Sequence, residues 1–171
     1  MKNEGETRIY VACLAAYNNG HLHGAWIDAT FGQDAIWDQI NEVLKTSPIL
    51  GAEEWAIHDH EGFEGLNISE YEGIQSVVEK AEFIKEHGRL GAELVTYYAD
   101  LETARKAIDD DYAGVYKSLA EFAEELTEQT TQIPGSLQYY IDYERMARDL
   151  EVSDVLAVEL GFEEIHVFWS R

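Results

Sequence analysis

Two histidine pairs, His21-x-His23 and His58-Asp59-His60, have the i,i+2 spacing that places both rings on one face of a strand. Zinc would accept such ligands if two strands brought the pairs together. The stronger reading is structural, with these histidines at strand ends or under aromatic rings. Asp109-x-Asp111-x-Ala113-Gly114 opens like a calcium loop. Its fifth and twelfth positions are Ala113 and Ala120, where the metal would need oxygens, so that chemistry is rejected. Cys13 lies in an apolar run with no activating base close in sequence, which marks it as core rather than nucleophile. No GxSxG, GxxxxGKS or GxGxxG pattern occurs. The sequence therefore argues against an enzyme and calls for no cofactor and no metal.

Carboxylates are the other chemistry-bearing groups. Glu121, Glu124, Glu125 and Glu128 recur at three- and four-residue spacing opposite the apolar stripe Leu119, Phe122, Ala123 and Leu126. Like charges so placed repel by roughly 1–2 kcal/mol in total before screening. Three of them fall in the C-terminal half of the predicted helix, where the helix dipole disfavours anions. The same bias recurs elsewhere. Glu70, Glu72, Glu79, Glu82 and Glu86 crowd a second predicted helix against only Lys80 and Lys85, and Asp109, Asp110 and Asp111 are consecutive. By contrast, the stretch 137–150 pairs ordinarily, Glu144 with Arg148 and Arg145 with Asp149.

Over the whole chain, 34 acidic residues face 12 Lys and Arg among 171 residues, a formal charge of −22. The excess is spread, with eight acids and no base between Lys45 and Lys80 alone. Hydrophobic residues at 46% and aromatics at 12% exclude the disordered class and allow a real core. Such a surface repels nucleic acid and anionic membrane at long range, so no direct nucleic-acid binding and no membrane are expected, and a partner should be basic. The start MKNEGETR lacks a signal-peptide stretch, and no run approaches ~18–20 apolar residues. With one cysteine and no intramolecular disulfide possible, the expected address is cytoplasmic.

The elements expected to carry these groups form an α+β chain of three modules. In 1–62, Thr7 to Tyr17 predicts a central strand, Asn18-Asn19-Gly20 a turn, and His21 to Asp28 a returning strand. Ile36, Trp37, Ile40 and Leu44 predict a helix stopped by Ser47-Pro48. Glu53 to Glu61 predicts a strand with Trp55 and Ile57 on one side and His58 and His60 on the other. In 63–108, Ser69 with Glu72 reads as a capping box before Ile74, Val77, Val78, Ala81 and Ile84, with Gly88 as a stop. A helical pattern then resumes through Leu94, Tyr98, Leu101 and Ile108, with Asp100 able to cap a separate short helix. In 109–171, the three aspartates are expected to open a helix that buries Val115, Leu119, Phe122, Ala123 and Leu126. Ser136 is the candidate cap for a helix over Leu137 to Leu150, and Ile165, Val167 and Trp169 alternate in a closing strand.

Several stretches resemble the ArdA antirestriction family. They are Leu14-Ala15-Ala16-Tyr17-Asn18-Asn19-Gly20, His23-Gly24-Ala25-Trp26-Ile27-Asp28, the run Tyr112 to Leu126, Tyr140 to Glu144 with Met146 to Asp149, and His166-Val167-Phe168-Trp169. The resemblance covers nearly the whole chain in order. It implies an elongated, curved homodimer of three modules, carried by a mobile element, whose carboxylates imitate the phosphates of bent B-form DNA. The implied partner is the methyltransferase core of type I restriction–modification enzymes, blocked by competition without chemistry. The carboxylates expected to serve are Glu70, Glu72, Glu79, Glu82, Glu86, Asp109, Asp110, Asp111, Glu121, Glu124, Glu125 and Glu128. At one charge per ~1.7 Å of duplex axis, 34 carboxylates correspond to about 58 Å, or roughly 17 base pairs. Tyr139, Tyr140 and Tyr143 are the expected self-association surface. The alternatives are an acidic module for another basic DNA-binding or histone-like protein, and a halophile's solubility surface.

Overall fold

The computed structural model describes residues 6–170 and divides the chain into two compact units, Met1–Tyr97 and Tyr98–Arg171. Each combines helices with an antiparallel three-stranded sheet, so the class is α+β.

In the first unit the sheet order is β2-β1-β3, with β1 (Arg8–Cys13) between β2 (Gly24–Asp28) and β3 (Trp55–Glu61). Central position explains why Ile9, Val11, Ala12 and Cys13 are all buried. The strand stops four residues short of the expected Tyr17, because Leu14–Asn18 turns into a short helix, α1. Its Leu-Ala-Ala start favours helix. Ala16 packs there with Cys13 and Val43. The Asn19-Gly20 turn follows as expected. His21 and His23 do not join β2. The His21 N–H donates to Ala16 O at 2.9 Å, and the His23 ring lies 2.7 Å from Val43 O.

Helix α2 (Gln33–Lys45) buries Ile36, Ile40 and Val43 and ends just before Ser47-Pro48. Trp37, expected in the core, stays 40% exposed with its ring edge-on to Trp55 at 5.6 Å. Strand β3 carries a bulge. Val11 pairs with Ile57 but Tyr10 pairs with Asp59, leaving His58 as the extra residue. One added residue resets the alternation, so His60 pairs with buried Ile9 and moves to the side of Trp55 and Ile57. The expected His58/His60 face is therefore broken. Ser69 does bond to Glu72, its N–H and Oγ lying 3.3 and 3.4 Å from Oε1. Gly73 delays the helix, however, and α3 runs Ile74–Tyr98, making the Ser69–Glu72 pair a turn rather than a cap. Helix α3 breaks its geometry at Gly88, the expected stop, and resumes.

The second unit opens with α4 (Leu101–Lys106), capped as expected by Asp100, whose carboxylate accepts from Thr103 N–H at 2.9 Å. The Thr103 hydroxyl bond, with that N–H, holds the Asp100 carboxyl below its ordinary range. Asp109, Asp110 and Asp111 close a π turn (Ala107–Asp111) and lead into a strand, β4 (Tyr112–Tyr116), rather than a helix. Tyr, Val and Tyr favour strand, and Ala113 is the extra residue of a bulge against the partner strand. Val115, expected in a helix core, is 54% exposed. The helix begins only at Leu119, as α5 (Leu119–Thr130), with Ser118 as its cap.

After the Ile133–Ser136 loop, Gln138–Tyr140 forms a 3-10 turn. The next helix, α6 (Tyr143–Ser153), is capped by Asp142 accepting from Arg145 N–H at 3.0 Å, not by Ser136. Strands β5 (Val155–Gly161) and β6 (Glu164–Trp169) form a hairpin, and the sheet order is β4-β6-β5. Ile165, Val167 and Trp169 face the α5 core of Phe122 and Val155. His166 and Phe168 occupy the other face beside Tyr112, as the alternation predicts.

Candidate functional site

Helix α5 positions its glutamates by burying the opposite side. Phe122 and Ala123 are buried, and Phe122 meets Tyr116 at 5.2 Å and Trp169 at 5.7 Å, both edge to face. Ser118 Oγ accepts from Glu121 N–H at 3.1 Å, while the Glu121 carboxylate accepts from Lys117 N–H at 2.7 Å. Those two bonds fix the first turn. Glu121, Glu124, Glu125 and Glu128 then line one groove of about 500 Å³ with Gly114, Val115 and Tyr116 of β4. Glu124 and Glu128 also line a second groove with Thr131, Gln132, Ile133, Gln138 and Tyr143. The four carboxylates thus form a ridge, with Tyr116 in one groove and Tyr143 in the other.

Both phenols record the charge. Burial pushes Tyr116 up to about 12, helped by hydrogen bonding to Glu125 and by the charges of Glu125 and Glu121. Tyr143 is raised by desolvation, then by Glu124 and Glu128. The fold favours the neutral Tyr116 phenol. Its contribution to stability is complete below the ordinary value of 10.0 and is lost as pH rises from there towards 12. In an ultraviolet phenolate titration, Glu125→Gln should move the Tyr116 step back towards 10.0. An unchanged curve would show that Glu125 does not act on this phenol.

The other expected carboxylates are placed differently. Glu79, Glu82 and Glu86 are exposed on α3 and Glu70 is exposed before it. Glu72 is half-buried and engaged by Lys80 Nζ at 2.8 Å and Ser76 Oγ at 3.2 Å, a structural use. Asp109 and Asp110 are exposed, whereas Asp111 is half-buried. Tyr139 and Tyr140 stand 90% and 84% exposed on the 3-10 turn, with Leu137 exposed nearby, while Tyr143 is half-buried in its groove.

Tyr116 was not among the residues singled out from sequence. Its only signal there is a tyrosine two residues before the Ser118 cap. The network of Tyr112, His166 and Glu164 was also missed. The Tyr112 hydroxyl lies 2.7 Å from His166 Nδ1, and His166 Nε2 lies 3.1 Å from Glu164 Oε1. Burial, then the Glu164 charge, raises the Tyr112 phenol.

The histidine pairs stay apart in role. His23 closes the end of α2, His58 lies 3.8 Å from Glu70 and edge-on to Tyr17, and His60 packs on Phe63. Among the described residues no group of three or more His, Cys, Asp or Glu could hold a metal ion. No helix there is long and apolar enough to cross a membrane. A comparison with curated proteins returned no match. A family model described as antirestriction protein (ArdA) matches residues 9–164, a span that runs from β1 to the first residue of β6 and holds the α5 ridge. The chain therefore belongs to the ArdA family of antirestriction proteins, which act on restriction enzymes.

Proposed function

We propose that the chain inhibits type I restriction–modification enzymes by presenting carboxylates in place of DNA phosphates and occupying the DNA-binding groove of the methyltransferase core. The observation that carries this reading is the α5 ridge, where four glutamates line one groove and three of them, Glu124, Glu125 and Glu128, lie past the first turns, where the dipole of their own helix does not favour them. A helix selected for stability alone would place Lys or Arg in its last turn, and α5 has none. Arg and Lys side chains that hold phosphates can hold fixed carboxylates instead, and charges fixed on a folded scaffold lose less freedom on binding.

The expected active form is a homodimer, with the exposed apolar group Leu137, Tyr139 and Tyr140 as its candidate contact. The middle and C-terminal modules would both contribute carboxylates, those of α3 and of the turn at 109–111 together with the ridge. The cell compartment would be the cytoplasm, where a restriction enzyme meets incoming mobile DNA.

Competition tests the proposal. The chain should displace duplex DNA from a type I methyltransferase core at near-stoichiometric amounts, and added salt should weaken its hold. Failure to displace DNA or to inhibit methylation would reject it. Equal binding to an unrelated basic protein would favour the acidic-module alternative, and unfolding at low salt would favour a halophile's surface.

A further inference from the structure

The turn after α1 joins a reactive dipeptide to a geometry that restrains it. Asn19-Gly20 is the chain's one Asn-Gly pair, and both residues are exposed to water. Glycine has no side chain to shield its amide nitrogen. This is the sequence in which that nitrogen most readily attacks the preceding side-chain amide. In the folded turn, both nitrogens that take part in that attack are hydrogen-bonded. The Asn19 Nδ2 donates to Ala15 O at 2.7 Å. The attacking nitrogen, Gly20 N, donates to Tyr17 O at 3.1 Å. Asn19 N–H and His21 N–H both donate to Ala16 O, at 3.0 and 2.9 Å. Ring closure requires the Gly20 nitrogen to swing towards the Asn19 Cβ. A ψ of 14° at Asn19 instead leaves it nearly eclipsed with Asn19's own nitrogen.

We infer that Asn19 is a latent deamidation site, closed in the folded turn and opened when the end of α1 frays. On opening, the Gly20 amide loses its proton to solvent base and attacks Asn19 Cγ. A C–N bond forms, the Cγ–Nδ2 bond breaks, and ammonia leaves with a proton. Water then adds to either carbonyl of the succinimide and that carbonyl's bond to the ring nitrogen breaks, giving aspartate or isoaspartate. The net change is one amide and one water converted to one carboxylic acid and one ammonia. The product carboxylate cannot donate to Ala15 O and places an anion at the C-terminal end of α1, where the dipole disfavours it. The refolded turn is therefore weaker than the original by the lost bond to Ala15 O. The modification is slow in intact protein and irreversible once the ammonia has left.

The test compares full-length protein held folded with the same protein held in urea, both in mildly alkaline buffer. Peptide mapping and an isoaspartate assay read residue 19. Aspartate and isoaspartate should accumulate at Asn19 in both samples, the folded one slower by roughly tenfold or more, with Asn18, Asn41 and Asn67 lagging. Equal rates in the two samples, or an intact Asn19 in urea while another asparagine converts, would overturn the inference. Asn19→Asp, made directly, should lower the thermal midpoint. An unchanged midpoint would show that the Asn19 amide is not what closes the turn.

Discussion

Converting Glu70, Glu79, Glu82, Glu86, Glu121, Glu124, Glu125 and Glu128 to Gln, with Asp109 and Asp110 to Asn, should abolish inhibition of a type I methyltransferase. Glu124→Gln with Glu125→Gln alone should leave inhibition largely intact. Exposed ion pairs contribute about 0.5 kcal/mol each, so ten lost contacts amount to roughly 5 kcal/mol, or between three and four orders of magnitude in affinity. Two amount to about 1 kcal/mol, a change of roughly fivefold. The double variant also relieves repulsion in the last turns of α5, so it should unfold at a temperature no lower than the parent's. Glu72 is spared in the ten-site variant because it holds Lys80 and Ser76. Glu121→Gln keeps an acceptor for the Lys117 N–H. Inhibition titrations, with circular dichroism as the check on folding, read the result. A folded single-charge variant that lost inhibition would replace summed electrostatics with one local contact.

Gly62→Ala is expected to be the most damaging single methyl addition in the first unit. Gly62 sits at φ 79°, and a Cβ there would lie 2.2 Å from Glu6 O and 2.9 Å from Thr7 Cα. Both are backbone atoms, so no side chain can rotate away. The same segment is tied by Thr7 Oγ1 donating to Gly62 O at 3.1 Å and by Ala29 N–H donating to Thr7 O at 2.9 Å. Strain at the left-handed backbone plus the overlap should cost about 2–5 kcal/mol, a large share of the 5–15 kcal/mol typical of a domain. Gly51→Ala provides the control. Its φ of 76° is similar, but nothing lies within 4 Å, so only the backbone term of about 1–2 kcal/mol applies. Urea unfolding midpoints should therefore fall much further for Gly62→Ala, and equal losses would mean that the overlap contributes nothing.

The elements with a full apolar period are legible in the sequence. Helix α2, the body of α3, and β6 follow from apolar spacing, and Asp100 announces its cap. What escaped was decided by neighbours far away in sequence. A bulged residue at His58 is invisible in a strand pattern, yet it turns His60 over. Tyr112 to Tyr116 read as helix because the three aspartates suggested a helix start. Its strand state depends on pairing with β6 some fifty residues later. Strand β5 was missed for the same reason. For the site, spacing sufficed to place Glu121, Glu124, Glu125 and Glu128 on one face. It could not show that Tyr116 lies beside them, since that requires the sheet, nor that Glu72 is spent on Lys80.

The placement of the chain's one thiol has a consequence for handling the protein. Cys13 is fully buried in β1, with Sγ 3.3 Å from Ser47 Oγ. Oxidants and alkylating reagents can meet it only when the first unit opens. Folded copies therefore cannot be joined through sulfur, and a covalent dimer in a non-reducing gel would record molecules that had unfolded. The rate of thiol labelling under native conditions would measure how often that opening occurs.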